Sequence, residues 1–163
     1  MSVRTFSRLA TVAQRGFAAA AAAKPAHGTE ELLLTFASPE KAFFSGVAVK
    51  QVDVPTLAGT VGILANHVPT IGVLKPGVAI VTDNEGKQTK LFVSSGTLSM
   101  NIDGTCQVLA EEAVKVEDID ESLARQELEA AQRASAEGSE VARAEAAIRA
   151  EVAEALIKAV TGH

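Results

Sequence analysis

Val47-Ala48-Val49-Lys50-Gln51-Val52-Asp53-Val54 sets two rows of side chains in alternation. Val47, Val49, Gln51 and Asp53 stand against Ala48, Lys50, Val52 and Val54, and the period of two with an apolar face is that of a β-strand. It predicts one strand over 47–54. Upstream, Glu31 to Ala37 reads as a strand ended by Ser38-Pro39, and Phe43-Phe44 with Gly46 leads back into the alternating stretch. Downstream, Val78 to Thr82 and Lys90 to Val93 flank the polar loop Asp83-Asn84-Glu85-Gly86. Thr97 to Ile102 and Thr105 to Ala110 flank Asp103-Gly104, a pair that favours a two-residue type I′ turn. Short strands at this spacing, with no helix between them, predict an all-β sandwich or barrel over 30–116.

Past Glu117 the period lengthens. Asp118 or Asp120 can cap a helix whose stripe is Leu123, Ala124, Leu128, Ala131 and Ala134. Gly138-Ser139 interrupts it, and Ser139 can cap a second helix. There Val141, Ala144 or Glu145, Ile148, Val152, Ala155 or Leu156, and Ala159 recur at three and four residues, an amphipathic seam. Two such helices with a short break between them predict an antiparallel hairpin over 117–163. Its alanine-rich stripes bury little area at roughly 25 cal/mol per Å2, so the hairpin is expected to need a partner.

Composition narrows the function. The chain has 163 residues, a net charge of −5, six Phe and no Trp or Tyr. Such a chain lacks the basic stripe and stacking rings of a nucleic-acid binder. Cys106 is the only cysteine, so there is no internal disulfide and no CxxC pair. Residues 1–29 hold no acid but carry Arg4, Arg8, Arg15 and Lys24 among hydroxyl residues and Phe6, Leu9 and Val12. That is the composition of a mitochondrial transit peptide, with removal expected after Phe17. The cut takes the net charge to −8 and leaves 18–29 as a flexible mature N-terminus.

The stretch Pro55-Thr56-Leu57-Ala58-Gly59-Thr60-Val61-Gly62-Ile63-Leu64-Ala65-Asn66-His67-Val68-Pro69, continuing to Lys75-Pro76-Gly77, sets turns and close backbone approaches. It resembles the F-type ATP synthase subunit family called delta in mitochondria and epsilon in bacteria. The family pattern is Gly-x-x-Gly-Ile-Leu-x-x-His-x-Pro followed by a Pro-Gly turn. Gly59, Gly62, Ile63, Leu64, His67, Pro69, Pro76 and Gly77 match it, as does Phe44-Ser45-Gly46, and the resemblance runs from about Glu31 to the end. Ser94-Ser95-Gly96 lacks one Gly of the usual triplet, which bears on local turn geometry only. Ala65-Asn66 looks more like a mitochondrial version than a bacterial one. The Ile/Leu-Asp-x-x-Arg nucleotide pattern of some bacterial members is not matched: Ile119-Asp120 precedes Glu121-Ser122-Leu123, and Arg125 stands at the wrong offset.

The resemblance implies a non-catalytic central-stalk subunit. It would join the membrane rotor (c) ring to the central shaft (gamma) subunit and help transmit torque for ATP synthesis. It implies a peripheral site on the matrix side of the mitochondrial inner membrane, and a small mitochondrial epsilon subunit as a further partner. No cofactor, metal, nucleic acid or membrane insertion is expected. Leu57, Ala58, Gly59 and Thr60 would face the ring, and Asn66, His67 and the neighbouring sheet the shaft. The hairpin seam, with Val141, Ile148 and Val152, would pack on the sandwich and on the small partner. Two other readings stand beside it: an unrelated mitochondrial matrix adaptor with sandwich and helical surfaces, and a small matrix hydrolase using His67 and Asp53. His67 by itself reads as a loop hydrogen-bonder, Cys106 as buried filler, and Asp118, Asp120, Glu121, Glu127 and Glu129 as a solvated helix face lacking the spacing of a cation loop.

Overall fold

Lys50 breaks the strand expected over 47–54. Val49, Val52 and Val54 are all buried and Lys50 is exposed, so the inward phase slips by one residue at Lys50. One pleated strand cannot send residues 49 and 52 to the same side. The chain turns a corner there and passes from one layer to the other. A computed structural model describes residues 31–136 and 138–162; the expected transit peptide (1–17) and mature N-terminus (18–29) lie outside the described residues.

The order is β1 (Leu32–Ala37), β2 (Ala42–Val49), β3 (Gln51–Thr56), β4 (Gly59–Leu64), β5 (Thr70–Leu74), β6 (Gly77–Thr82), β7 (Gln88–Val93), β8 (Gly96–Met100), β9 (Thr105–Ala110) and β10 (Ala113–Lys115). A 3₁₀ turn (Val116–Asp118) follows, then helices α1 (Glu121–Ala136) and α2 (Glu140–Thr161). The strands pair in the order β10-β7-β6-β3-β5-β8-β9-β1-β2, with β4 also on β3. All pairs are antiparallel except β1 with β9. The path folds over on itself at β3 and β5, which share the single register pair Thr56 with Leu74. This is the expected β-sandwich followed by a helical hairpin.

Between the layers, Leu32, Leu34, Phe36, Leu98, Met100, Cys106 and Val108 from one side meet Val52, Val54, Ile63, Val81, Leu91 and Val93 from the other. Each such aliphatic or Phe side chain contributes roughly 1.5–3 kcal/mol by leaving water. Aliphatics carry this core. Among the described residues one aromatic pair adds to it, core Phe36 with half-buried Phe43 at 6.0 Å in a T-shape.

Several local expectations change. The Gly- and Pro-punctuated stretch read as turns holds two further strands, β4 and β5, and Ala113–Lys115 adds β10. The β8–β9 connection is not a type I′ turn. Gly104 N–H donates to the Asn101 carbonyl at 3.2 Å, and Asn101 N–H to the Thr105 carbonyl at 2.8 Å. Asp103 has no positive φ, whereas Gly104 sits at +83°. That is a three-residue loop ending in a left-handed glycine, the other common hairpin solution.

The helix starts follow the capping logic. The Asp120 carboxylate accepts from Ser122 and Leu123 N–H at 2.8 and 3.2 Å, and Ser139 Oγ accepts from Ala142 N–H at 3.3 Å. The seam between the helices differs from the expected stripes. Ala124 and Ala131 of α1 meet Ala146 and Ala153 of α2, each pair seven residues apart. Leu123 and Ala134 lie outside the seam, as do Val141, 67% exposed, and Ile148, 62% exposed. Alanine wins the seam because two helix backbones approach closely only over small side chains. The larger stripe of α2 turns elsewhere: Val152 and Leu156 look toward Phe92 and Val114 on the outer side of the β10-β7-β6 layer. Among the described residues one side-chain ion pair joins the two helices, from Arg149 Nε to Glu127 Oε1 at 2.9 Å, between half-exposed side chains. In water such a pair adds at most about 1 kcal/mol. Among the described residues no helix is long and apolar enough to cross a membrane.

Candidate functional site

The outer side of the other layer carries no charge across four strands. Register places Val73, Thr97, Leu109 and Ala37 in one row and Ile71, Ser99, Gln107 and Thr35 in the next. Ile71 is 85% exposed and Val73 54%. The inward partners of these strands already fill the core, so alternation alone turns Ile71 and Val73 out. A solvated sheet face is usually polar, and here Thr35, Thr97, Ser99 and Gln107 supply polarity without charge. An uncharged face with exposed branched aliphatics is a surface that another protein can cover without burying an unpaired charge.

Two loops bracket this face at opposite ends. At one end Leu57 and Ala58 form the tip of the tight β3–β4 hairpin, with Gly59 and Thr60 already inside β4. The tip is held from below: Thr56, itself buried, donates its hydroxyl to the Gly59 carbonyl at 2.6 Å. Gly59 takes a φ of +117°. Leu57 N–H donates to the Val73 carbonyl at 3.0 Å, and its side chain, 73% exposed, extends the apolar row of β5.

At the other end, six residues of β4 away and therefore roughly 20 Å distant, lies the turn Leu64-Ala65-Asn66-His67. His67 N–H donates to the Leu64 carbonyl at 3.2 Å, and Asn66 sits at φ +61°, where Asn is tolerated best after Gly. His67 Nδ1 lies 2.9 Å from the Val68 carbonyl and 3.5 Å from Thr70 Oγ1. The two segments singled out in the sequence, Leu57 to Thr60 and Asn66-His67, therefore lie toward opposite ends of β4.

His67 and Asp53 are not brought together as a hydrolase would need. The Asp53 carboxylate accepts from Gln51 Nε2 at 2.7 and 2.9 Å, while His67 bonds within its own loop. Asp53 also lies over Gly62, where a Cβ would stand 2.9 Å from Oδ1. That close approach explains the glycine.

Between hairpin and sandwich runs a groove of about 510 Å3. Phe92, Val114, Val152 and Leu156 give it an apolar floor, and Glu40, Glu111 and Glu112 an acidic rim. Nothing in the sequence pattern alone predicts this groove, because it forms only where α2 crosses the sheet. Val141 and Ile148 lie farther up α2 as an exposed stripe.

Cys106 is fully buried in the core, and burial pushes its thiol up from about 9 to about 11. The neutral thiol is the form the fold favours. Its contribution to stability is complete below pH 9 and is lost as the pH rises through 11. At about pH 8 the native chain should resist an aromatic disulfide reagent that labels the urea-unfolded chain within seconds. Equal labelling rates would show that the strand opens locally.

Residues 31–116 match the family model described as ATP synthase, Delta/Epsilon chain, beta-sandwich domain. A Caenorhabditis elegans protein named ATP synthase subunit delta, mitochondrial, is 74% identical over 161 residues, covering 99% of this chain and 98% of its own. A Schizosaccharomyces pombe protein of the same name is 39% identical over 131 residues, 80% of this chain and 78% of its own. Among solved structures, a chain in the cryo-EM structure of the Euglena gracilis mitochondrial ATP synthase, OSCP/F1/c-ring, superposes with a TM-score of 0.75 at 28% identity, covering 80% of this chain and 82% of that one.

Proposed function

The chain belongs to the ATP synthase delta/epsilon chain family, and from that premise we propose that it fastens the membrane rotor ring to the central shaft of the mitochondrial enzyme. In this reading it is a stalk subunit at the matrix side of the inner membrane, with no reaction of its own. Its first 17 residues are the import signal. Torque passes through it, so the requirement is stiffness and broad water-excluding contact. Two sheet layers closed over an aliphatic core supply the stiffness.

The observation that carries the proposal is the uncharged β5-β8-β9-β1 face, bracketed by two structured ends. The face and the Asn66-His67 end meet the shaft, while Leu57 to Thr60 meet the ring. An interface that never opens is served by uncharged, flat surface, since every charge buried there without a partner costs several kcal/mol. Val152 and the groove beside it, with exposed Val141 and Ile148 above, take the small partner subunit. The acidic rim calls for a partner with basic residues flanking an apolar anchor. The separation of His67 from Asp53 supports the non-catalytic part of the reading.

The test is a native-gel separation from detergent-solubilised mitochondria with a tag after His163. Co-migration with shaft and ring subunits is the expected result. A chain running free, or with other partners only, would turn the assignment toward a matrix adaptor.

A further inference from the structure

We propose that Asp53, lying over Gly62, is a socket for one lysine of a partner protein. On the outer side of β4, β3, β6 and β7, register sets Gly62, Asp53, Ile80 and Lys90 in one row. Core residues Val52, Ile63, Val81 and Leu91 fix that phase. Asp53 is half-buried in the row. A carboxylate drawn partly out of water calls for a cation. Among the described residues it enters no ion pair. Lys90, the cation of the row, stands two strands away, or roughly 10 Å.

Gln51 Nε2 donates to both Asp53 oxygens, at 2.7 and 2.9 Å, and brings no charge. The amide occupies the edge between the two oxygens, which closes the two-pronged approach of a guanidinium. The outer side of Oδ1 is left. It lies over Gly62, where a Cβ would stand 2.9 Å away. Glycine inside a strand weakens it and marks a place of close approach. With no side chain beneath it, Oδ1 is open from the β4 side. Helix α2 lies against β6, whereas β4 carries exposed Thr60 and Leu64 and, among the described residues, pairs only with β3. A single open oxygen suits a compact ammonium better than a planar fork. Leu64, 47% exposed, stands on the diagonal from Asp53, about 7–8 Å off, and receives the methylene stem of that lysine.

The experiment uses the native complex and does not depend on which subunits flank the chain. A carbodiimide joins a carboxylate to an amine as an amide, with loss of water, where the two touch. Applied to complexes from detergent-solubilised mitochondria, it should link Asp53 to a lysine of another polypeptide, read by mass spectrometry of the digest. Asp53→Asn should remove that link and leave the urea midpoint of the free chain unchanged. In competition with the unaltered chain, Asp53→Asn should enter the complex with roughly tenfold lower affinity, the loss of one charge-assisted contact. Glu85→Gln, in the exposed β6–β7 loop, should enter normally. A link from Asp53 to Lys90 alone, no link at all, or equal entry of Asp53→Asn would overturn the socket. An Asp53 link in a chain that does not co-migrate with shaft and ring would keep the socket and sink the stalk reading alone.

Discussion

Gly96→Ala should unfold this protein or leave it barely stable. Gly96 has a φ of +145°, which side chains other than Gly rarely adopt, and a Cβ built there lies 2.1 Å from the Leu109 carbonyl oxygen and 2.8 Å from Ala110 Cα. Neither neighbour can yield. Gly96 pairs with Ala110 on one side and with Leu74 on the other, and Glu111 N–H donates to the Ser95 carbonyl at 2.9 Å. Relief requires breaking the β8–β9 ladder where both layers close. Backbone strain and overpacking together cost on the order of 2–6 kcal/mol, a large share of the roughly 5–15 kcal/mol that holds a domain together. Gly46→Ala is the comparison, because its φ of +62° meets open space and only the conformational term of about 1 kcal/mol remains. Urea unfolding of both variants separates the two causes. A Gly96→Ala midpoint close to that of Gly46→Ala would mean that the ladder flexes there.

The double change Ile71→Asp with Val73→Asp should leave the fold intact and abolish assembly. Both side chains point into solvent, so the isolated chain should lose no more than about 1 kcal/mol. At the proposed shaft interface the same two carboxylates would be buried on a surface that has no cation across four strands. Each unpaired buried charge costs several kcal/mol, so binding should weaken by more than about a thousandfold. Circular dichroism of the free chain and native-gel migration of the tagged chain are read together. A folded variant that still co-migrates with the shaft would remove this sheet face from the interface. Asn84→Asp, in the exposed β6–β7 loop, should change neither readout.

Much of the architecture was legible because it rests on period. The strands at 32–37, 77–82, 88–93, 96–100 and 105–110 and the break at Gly138-Ser139 stand where alternation and turn residues placed them. The family motif identified the relatives. It also concealed β4 and β5, since a stretch punctuated by glycine and proline reads as turns and close approaches and not as strands, while Gly62 and Gly77 make their close approaches inside the sheet. Gly62 faces the Asp53 carboxylate and Gly77 packs against Pro55, contacts between residues distant in pattern and near in space. At Lys50 the phase slip between Val49 and Val52 was present in the letters, but an alternation that includes alanine absorbs it.

The hairpin shows the other limit. Two sets of residues in α2 satisfy the spacing of three and four: Val141, Ile148 and Val152, and Ala146 and Ala153. Periodicity favours the larger side chains, because it weighs hydrophobicity and not the distance between axes. The structure assigns the alanines to the seam and turns Val152 to the sheet, leaving Val141 and Ile148 exposed.

From sequence alone came the fold class, the helix caps and the aliphatic character of the core, consequences of local period and residue chemistry, and the family, which rested on its motif. Only the tertiary structure decided which apolar residues face inward in the hairpin, which sheet face is left uncharged, and that the Leu57 and Asn66 loops stand at opposite ends. Those depend on how two layers and two helices stack, and stacking is set by contacts between residues far apart in the chain.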